Sequence, residues 1–151
     1  MITNERQYRI TRAWVERFER DMAAVFEQAG TLDERARQAL LDQYASQVEE
    51  LRSDLDAYDA LRRGDVRVIE LHSLTELPDA LIRARIAAGI SQEALAQRLG
   101  LRKQQVQRWE ATRYAGVGLD RLQAVADALG LRIREQVLLP TSESSPAPHI
   151  E

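Results

Sequence analysis

Residues 91–110 constrain this chain more than any other stretch, because their pattern asks for two short helices meeting across one tight turn. Ser91 suits the position before a first helix, where its hydroxyl can accept from a backbone N–H that the helix leaves unpaired. Leu95 and Leu99 lie four apart on one face, and Ala96 supplies the small side chain that two crossing helices need. Gly100 follows the last turn, where a left-handed backbone comes easily only to glycine. Leu101 plugs the corner. Val106 and Trp109, three apart, turn an apolar face of the second helix inward. The opposite face carries Lys103, Gln104, Gln105, Gln107 and Arg108. Glutamine can grip adenine with two hydrogen bonds, and arginine or lysine can grip guanine. Two short helices with such a surface have the layout of a helix-turn-helix that reads DNA.

A longer stretch resembles a known family. Residues 81–131 are similar to the DNA-binding domain of the Xre/phage-repressor (Cro-type) helix-turn-helix family, over about a third of the chain. The resemblance rests on Leu81-Ile82-Arg83-Ala84-Arg85, Gly89-Ile90-Ser91-Gln92, Leu95-Ala96, Leu99-Gly100, Val106-Gln107-Arg108-Trp109-Glu110, Leu122 and Leu129-Gly130. It implies helices over 77–88, 91–99, 103–113 (the recognition helix) and about 119–129. It also implies roles: Gln92 on a phosphate, Lys103, Gln104 and Arg108 on base edges, and Arg85 with Glu110 as a structural ion pair. Arg102, Gln105, Gln107 and Arg113 are the candidate phosphate or supporting contacts. Two positions depart from the family's habit. Arg102 stands where Ser, Thr or Asn often caps the recognition helix, so that cap is weak or replaced by a phosphate contact. Ala111 stands where glycine often follows the glutamate. The run Glu110-Ala111-Thr112-Arg113-Tyr114, with Ile2-Thr3-Asn4-Glu5-Arg6-Gln7-Tyr8 near the start, is more similar to the antitoxin-like (HigA-type) branch than to the phage repressors.

Charge divides the chain. Net charge is −3 over 151 residues, which alone argues against nucleic acid. Yet residues 1–76 carry eleven Arg against sixteen Asp and Glu, a net of −5, whereas residues 77–139 carry ten Lys and Arg against six acids, a net of +4. Basic charge thus concentrates where phosphates would be neutralised. The acidic half is expected to stay off DNA and to remain free for a partner or for dimerisation.

The first 63 residues read as two long helices. Val15, Phe18, Met22 and Val25 form one stripe, widened by Trp14 and Phe26. Asn4 and Thr11 are both suitable caps for its start. Gly30 stops that helix, and Thr31 to Glu34 form a capping box for the next. Leu41, Tyr44, Val48, Leu51, Leu55 and Tyr58 then alternate spacings of three and four. The short connection makes the helices antiparallel neighbours. Their stripes either cover one another within the chain or form a dimer interface between two such hairpins. Arg62-Arg63-Gly64-Asp65 ends the second helix. Residues 66–71 and 132–139 alternate loosely and are candidate strands that could pair. Pro78 suits a first helical turn. From Pro140 onward Ser, Pro and charge predominate, the composition of a disordered tail.

Catalytic chemistry is hard to assemble. The chain has no cysteine, and its two histidines, His72 and His149, lie beside a candidate strand and in the tail. No glycine-rich phosphate loop is present. No catalytic residue, metal site or cofactor is expected, and the protein is read as a non-enzyme. No apolar run is long enough to span a bilayer, and the start is not a signal peptide, so a cytoplasmic location is expected. The expected architecture is all-α, with an amino-terminal antiparallel helical hairpin (1–63), a linker or short strand (64–76), a repressor-like helix-turn-helix domain (77–139) and a disordered tail (140–151). A minor two-stranded element is an optional addition. The expected function is sequence-specific binding of double-stranded DNA as a homodimeric transcriptional regulator. The competing reading is a type II antitoxin that holds a toxin, or another protein, through residues 1–63 and represses its own operon.

Overall fold

The computed structural model describes residues 1–28, 30 and 33–140. Among them the chain forms six α-helices and one short 3₁₀ turn, with no strand. The helices are α1 (Glu5–Glu27), α2 (Glu34–Arg63), α3 (Leu77–Ala87), α4 (Gln92–Leu99), α5 (Lys103–Ala111) and α6 (Leu119–Ala128), with the 3₁₀ turn at Leu74–Glu76.

Of the two candidate caps, Asn4 starts α1. Its backbone is extended and its side chain accepts from Gln7 N at 2.9 Å. Gln7 reciprocates: its Oε1 accepts from Thr3 N at 2.8 Å. This exchange satisfies donors that a helix start leaves unpaired. The capping box expected at Thr31 to Glu34 falls partly outside the described residues, and so does the expected tail from residue 141 on. At its other end α2 closes on Gly64 (φ 76°), whose N–H returns to the carbonyls of Ala60 and Leu61.

The long helices run antiparallel. Near one end Glu5 accepts from Arg62 at 2.8 Å and the Tyr8 hydroxyl donates to Asp59 at 3.0 Å. Further along, Glu19 pairs with Arg52, and the Phe18 and Tyr44 rings lie 5.8 Å apart. These exposed ion pairs add little stability. Burial does more: Val15 of α1 and Val48, Leu55 and Tyr58 of α2 share one buried cluster, Phe18, Met22 and Leu51 pack against it, and Leu41 of α2 is buried as well.

That apolar cluster does not stop at α2. It continues through Leu61 and Leu77 into Leu81, Ile82, Leu95, Val106 and Val125, which are the most deeply buried side chains of the carboxyl-terminal helices. Residues between α2 and the 3₁₀ turn are irregular, and Val66 and Leu71 rest on this core.

The candidate strands at 66–71 and 132–139 are not formed. Alternation gives a strand a buried face only when a neighbouring backbone supplies partners for its N–H and C=O groups. Here no ladder joins the two segments, and Val137, Leu138 and Leu139 stand more than three-quarters exposed.

Leu55 measures how firmly the long helices are held. Truncation to Ala is expected to cost roughly 2–5 kcal/mol in chemical denaturation, the range for a buried leucine that leaves a cavity. A loss below about 1 kcal/mol would place Leu55 outside the core.

Candidate nucleic-acid interface

The turn between α4 and α5 is built from local signals. Ser91 is extended and its Oγ accepts from Ala94 N at 3.0 Å, opening α4. Gly100 (φ 67°) closes it, and Leu101 N donates to Ala96 O at 2.8 Å. Leu95 and Ala96 are fully buried beneath the crossing. Arg102 is extended and precedes α5 with no side-chain cap bond, so among the described residues the hydroxyl cap common at this place has no substitute.

Helical periodicity sorts α5 into two faces. Val106 and Glu110 are buried and Trp109 is half-buried, while Lys103, Gln104, Gln107 and Arg108 are exposed. Gln105 lies between, half-buried. Among the described residues no side-chain hydrogen bond engages Gln104 or Arg108, and Lys103 Nζ lies 3.9 Å from Glu93 in an exposed pair. Arg102 is exposed. Arg113 is exposed too, with its Nη1 donating to Asp79 Oδ2 at 2.9 Å.

The inner face of α5 is fixed by charge. Arg85 of α3 donates through Nε and Nη2 to the two oxygens of Glu110 at 2.6 and 2.8 Å. Both residues are only 3% exposed. The same guanidinium donates to Ile90 O at 2.8 Å and to Thr3 O at 2.6 Å, so all three of its nitrogens are bonded. A buried carboxylate wants more than two donors. Gln92, the first residue of α4, supplies the third, its Nε2 donating to Glu110 Oε2 at 2.6 Å.

Gln92 is thus 7% exposed, with its carboxamide nitrogen donating inward to Glu110. No sequence signal points to Thr3, because a backbone carbonyl carries no side-chain signature and stands 82 positions away from Arg85.

The turn after α5 is strained. Arg113 (φ 51°) and Tyr114 (φ 57°) both adopt the left-handed conformation that favours glycine. Burial of Tyr114 against Trp109, with ring centroids 5.8 Å apart, holds the strain in place. The Tyr114 hydroxyl is buried without a partner among the described residues. Burial raises its pKa far above the ordinary phenol value, the Glu110 carboxylate adds to the rise, and Arg85 offsets part of it.

Residues 81–136 match the helix-turn-helix family model. The match covers just over a third of the chain, and it spans α3 to α6. This family consists of DNA-binding domains, not of enzymes, and the match supports an Xre-type helix-turn-helix here. Comparison of the chain with curated proteins and with solved structures finds no match. Among the described residues no group of His, Cys, Asp and Glu could hold a metal ion, and no helix is long and apolar enough to cross a membrane.

Two outcomes test the helix-turn-helix scaffold. Glu110→Ala strands the buried Arg85 charge and is expected to cost about 3–5 kcal/mol in denaturation; an unchanged melting temperature would mean that the pair contributes no order. Tyr114→Phe keeps the ring but removes the orphan hydroxyl, and is expected to stabilise by roughly 1–3 kcal/mol. Its pH signature follows from the raised pKa. Above about pH 10 the unfolded tyrosine ionises while the folded one keeps its proton, so wild-type stability falls as pH rises and the Phe variant escapes that part of the loss. A clear destabilisation of Tyr114→Phe at neutral pH would show that the hydroxyl has a partner.

Proposed function

We propose that the protein is a sequence-specific DNA-binding regulator of the Xre type, with α5 as the recognition helix. One observation carries this reading. The outer face of α5 presents Lys103, Gln104 and Arg108 to solvent, while Glu110 anchors its inner face through a buried network. Side chains on a helix of fixed orientation can be matched to base edges. Gln104 suits adenine, and Lys103 and Arg108 suit guanine. Arg102 and Arg113 serve phosphates. The Arg113–Asp79 pair is exposed enough to be exchanged for a phosphate at little cost. Gln105 and Gln107 support the contact from the flanks of the helix. Gln92 acts indirectly, by orienting Glu110.

In this proposal residues 77–139 bind DNA and residues 1–63 mediate association, with residues 64–76 joining them. A homodimer on two half-sites, acting in the cytoplasm, is the simplest arrangement, since paired helix-turn-helix units match operator symmetry. The antitoxin reading draws on a separate observation. Trp14 and Phe26 are 43% and 60% exposed on α1, within an acidic half of the chain. Large exposed side chains of this kind are what a protein partner would cover. A toxin bound there would leave α5 free for operator binding, so both roles fit one molecule.

Selection of bound sequences from a randomised duplex library tests the DNA reading. Arg108→Ala is expected to relax preference at one position per half-site, worth roughly 1–3 kcal/mol of discrimination, without unfolding the protein. Recovery of the same motif with the same sharpness would remove Arg108 from base reading.

A further inference from the structure

The amino-terminal turn of α1 does not lie far from α5. Residues from both elements line one open crevice of about 1060 Å³, with Arg6 and Ile10 on one wall, Lys103 and Gln107 on the other, and Ser91 and Gln92 between them. Thr3 holds the α1 wall in place through its bond to Arg85, and Ile2 is buried beside it.

The charges around this crevice nearly cancel, with one exception. Glu5 is paired with Arg62 at 2.8 Å, Glu93 lies against Lys103 at 3.9 Å, and Arg85 is consumed by Glu110. Arg6 is exposed and has no hydrogen-bond or ion-pair partner among the described residues. It also sits in the first turn of α1, where a cation opposes the helix dipole. Its placement therefore does not serve helix stability.

Geometry says what would meet it. A helix with its side chains is about 10–12 Å across, close to the roughly 12 Å width of the major groove. A recognition helix seated in that groove has a sugar–phosphate strand directly along each flank. The α1 wall faces one flank of α5 across the crevice. We propose that the first turn of α1 belongs to the DNA interface, with Arg6 contacting a backbone phosphate beside the strand that Lys103 approaches. The inference rests on the DNA-binding reading above, and it amends the expectation that the acidic half stays off DNA: its overall charge is negative, but the unpaired charge it brings to the crevice is the Arg6 cation.

Salt dependence separates this contact from its alternatives. The full-length protein is titrated by fluorescence anisotropy, at several salt concentrations, with a 24-base-pair duplex carrying the sequence recovered from the randomised library. Each neutralised phosphate contributes about 0.9 to the slope of log affinity against log salt. Arg6→Gln is expected to lower the slope by about 1 per bound subunit. Arg6→Lys should retain it. Arg20→Gln removes the same charge from α1 about 21 Å further along the helix (1.5 Å per residue) and should leave the slope unchanged. Thermal melting of Arg6→Gln should match wild type, since its side chain has no partner to lose. A wild-type slope in Arg6→Gln, together with a reduced slope in Lys103→Gln, would overturn the phosphate contact and leave the DNA reading intact. An equal fall in Arg20→Gln would mean a general charge effect and would also overturn it. Wild-type protein that does not bind the duplex would overturn both.

Discussion

The buried pair of Arg85 and Glu110 is the interaction on which the rest of this structure depends. Taking two charges out of water is costly, and an ion pair so placed is seldom a net source of stability. What it supplies is order. One guanidinium bonds α5 through Glu110, the α3–α4 turn through Ile90 O, and the amino-terminal segment through Thr3 O, while Gln92 adds α4 to the same carboxylate. Four pieces of chain are thereby set at fixed distances from one another. Only a planar, multidentate donor can do this, so lysine would not substitute for Arg85. The outward direction of Lys103, Gln104 and Arg108 follows from the inward direction of Glu110, because both belong to one short helix.

The bond to Thr3 changes how the two halves of the chain relate. The acidic composition of residues 1–76 suggests an independent module joined by a linker. The packing instead joins α2 to α3 through Leu61 and Leu77, and Thr3 reaches into the helix-turn-helix network. Anything that pulls on α1 is mechanically connected to Arg85, and Arg85 to the recognition helix. Exposed aromatic side chains on α1 therefore sit on an element whose first turn borders the crevice beside α5. A partner on one face and DNA on the other would share that element.

The turn after α5 shows how strain is accommodated. Two consecutive non-glycine residues, Arg113 and Tyr114, hold left-handed backbones. Such positions persist where the surroundings over-determine them. Tyr114 is held by Trp109 and by burial in the core, at the expense of a hydroxyl with no partner among the described residues. The reward is a compact corner that keeps the last turn of α5 against α3, where Arg113 meets Asp79.

The sequence by itself determined the features that depend on neighbours within a turn or two. The helical character of the chain, the ends set by Gly64, Ser91 and Gly100, and the two faces of α5 all follow from capping chemistry and the 3.6-residue repeat, which act over a few residues. The expected limits of the last four helices, 77–88, 91–99, 103–113 and 119–129, differ from the observed ones by at most two residues at each end. Only the tertiary structure decided the rest. Residues 66–71 and 132–139 alternate as strands do, but alternation cannot supply the neighbouring backbone that a ladder requires. Gln92 looks like a polar surface residue until the third donor needed by a buried carboxylate is located. Nothing in the local pattern brings Thr3 to Arg85 or places Arg6 across a crevice from Lys103. Those proximities arise because α1 folds back along α2, and α2 packs on α3. They join residues tens of positions apart, and each is set by the path of the whole chain.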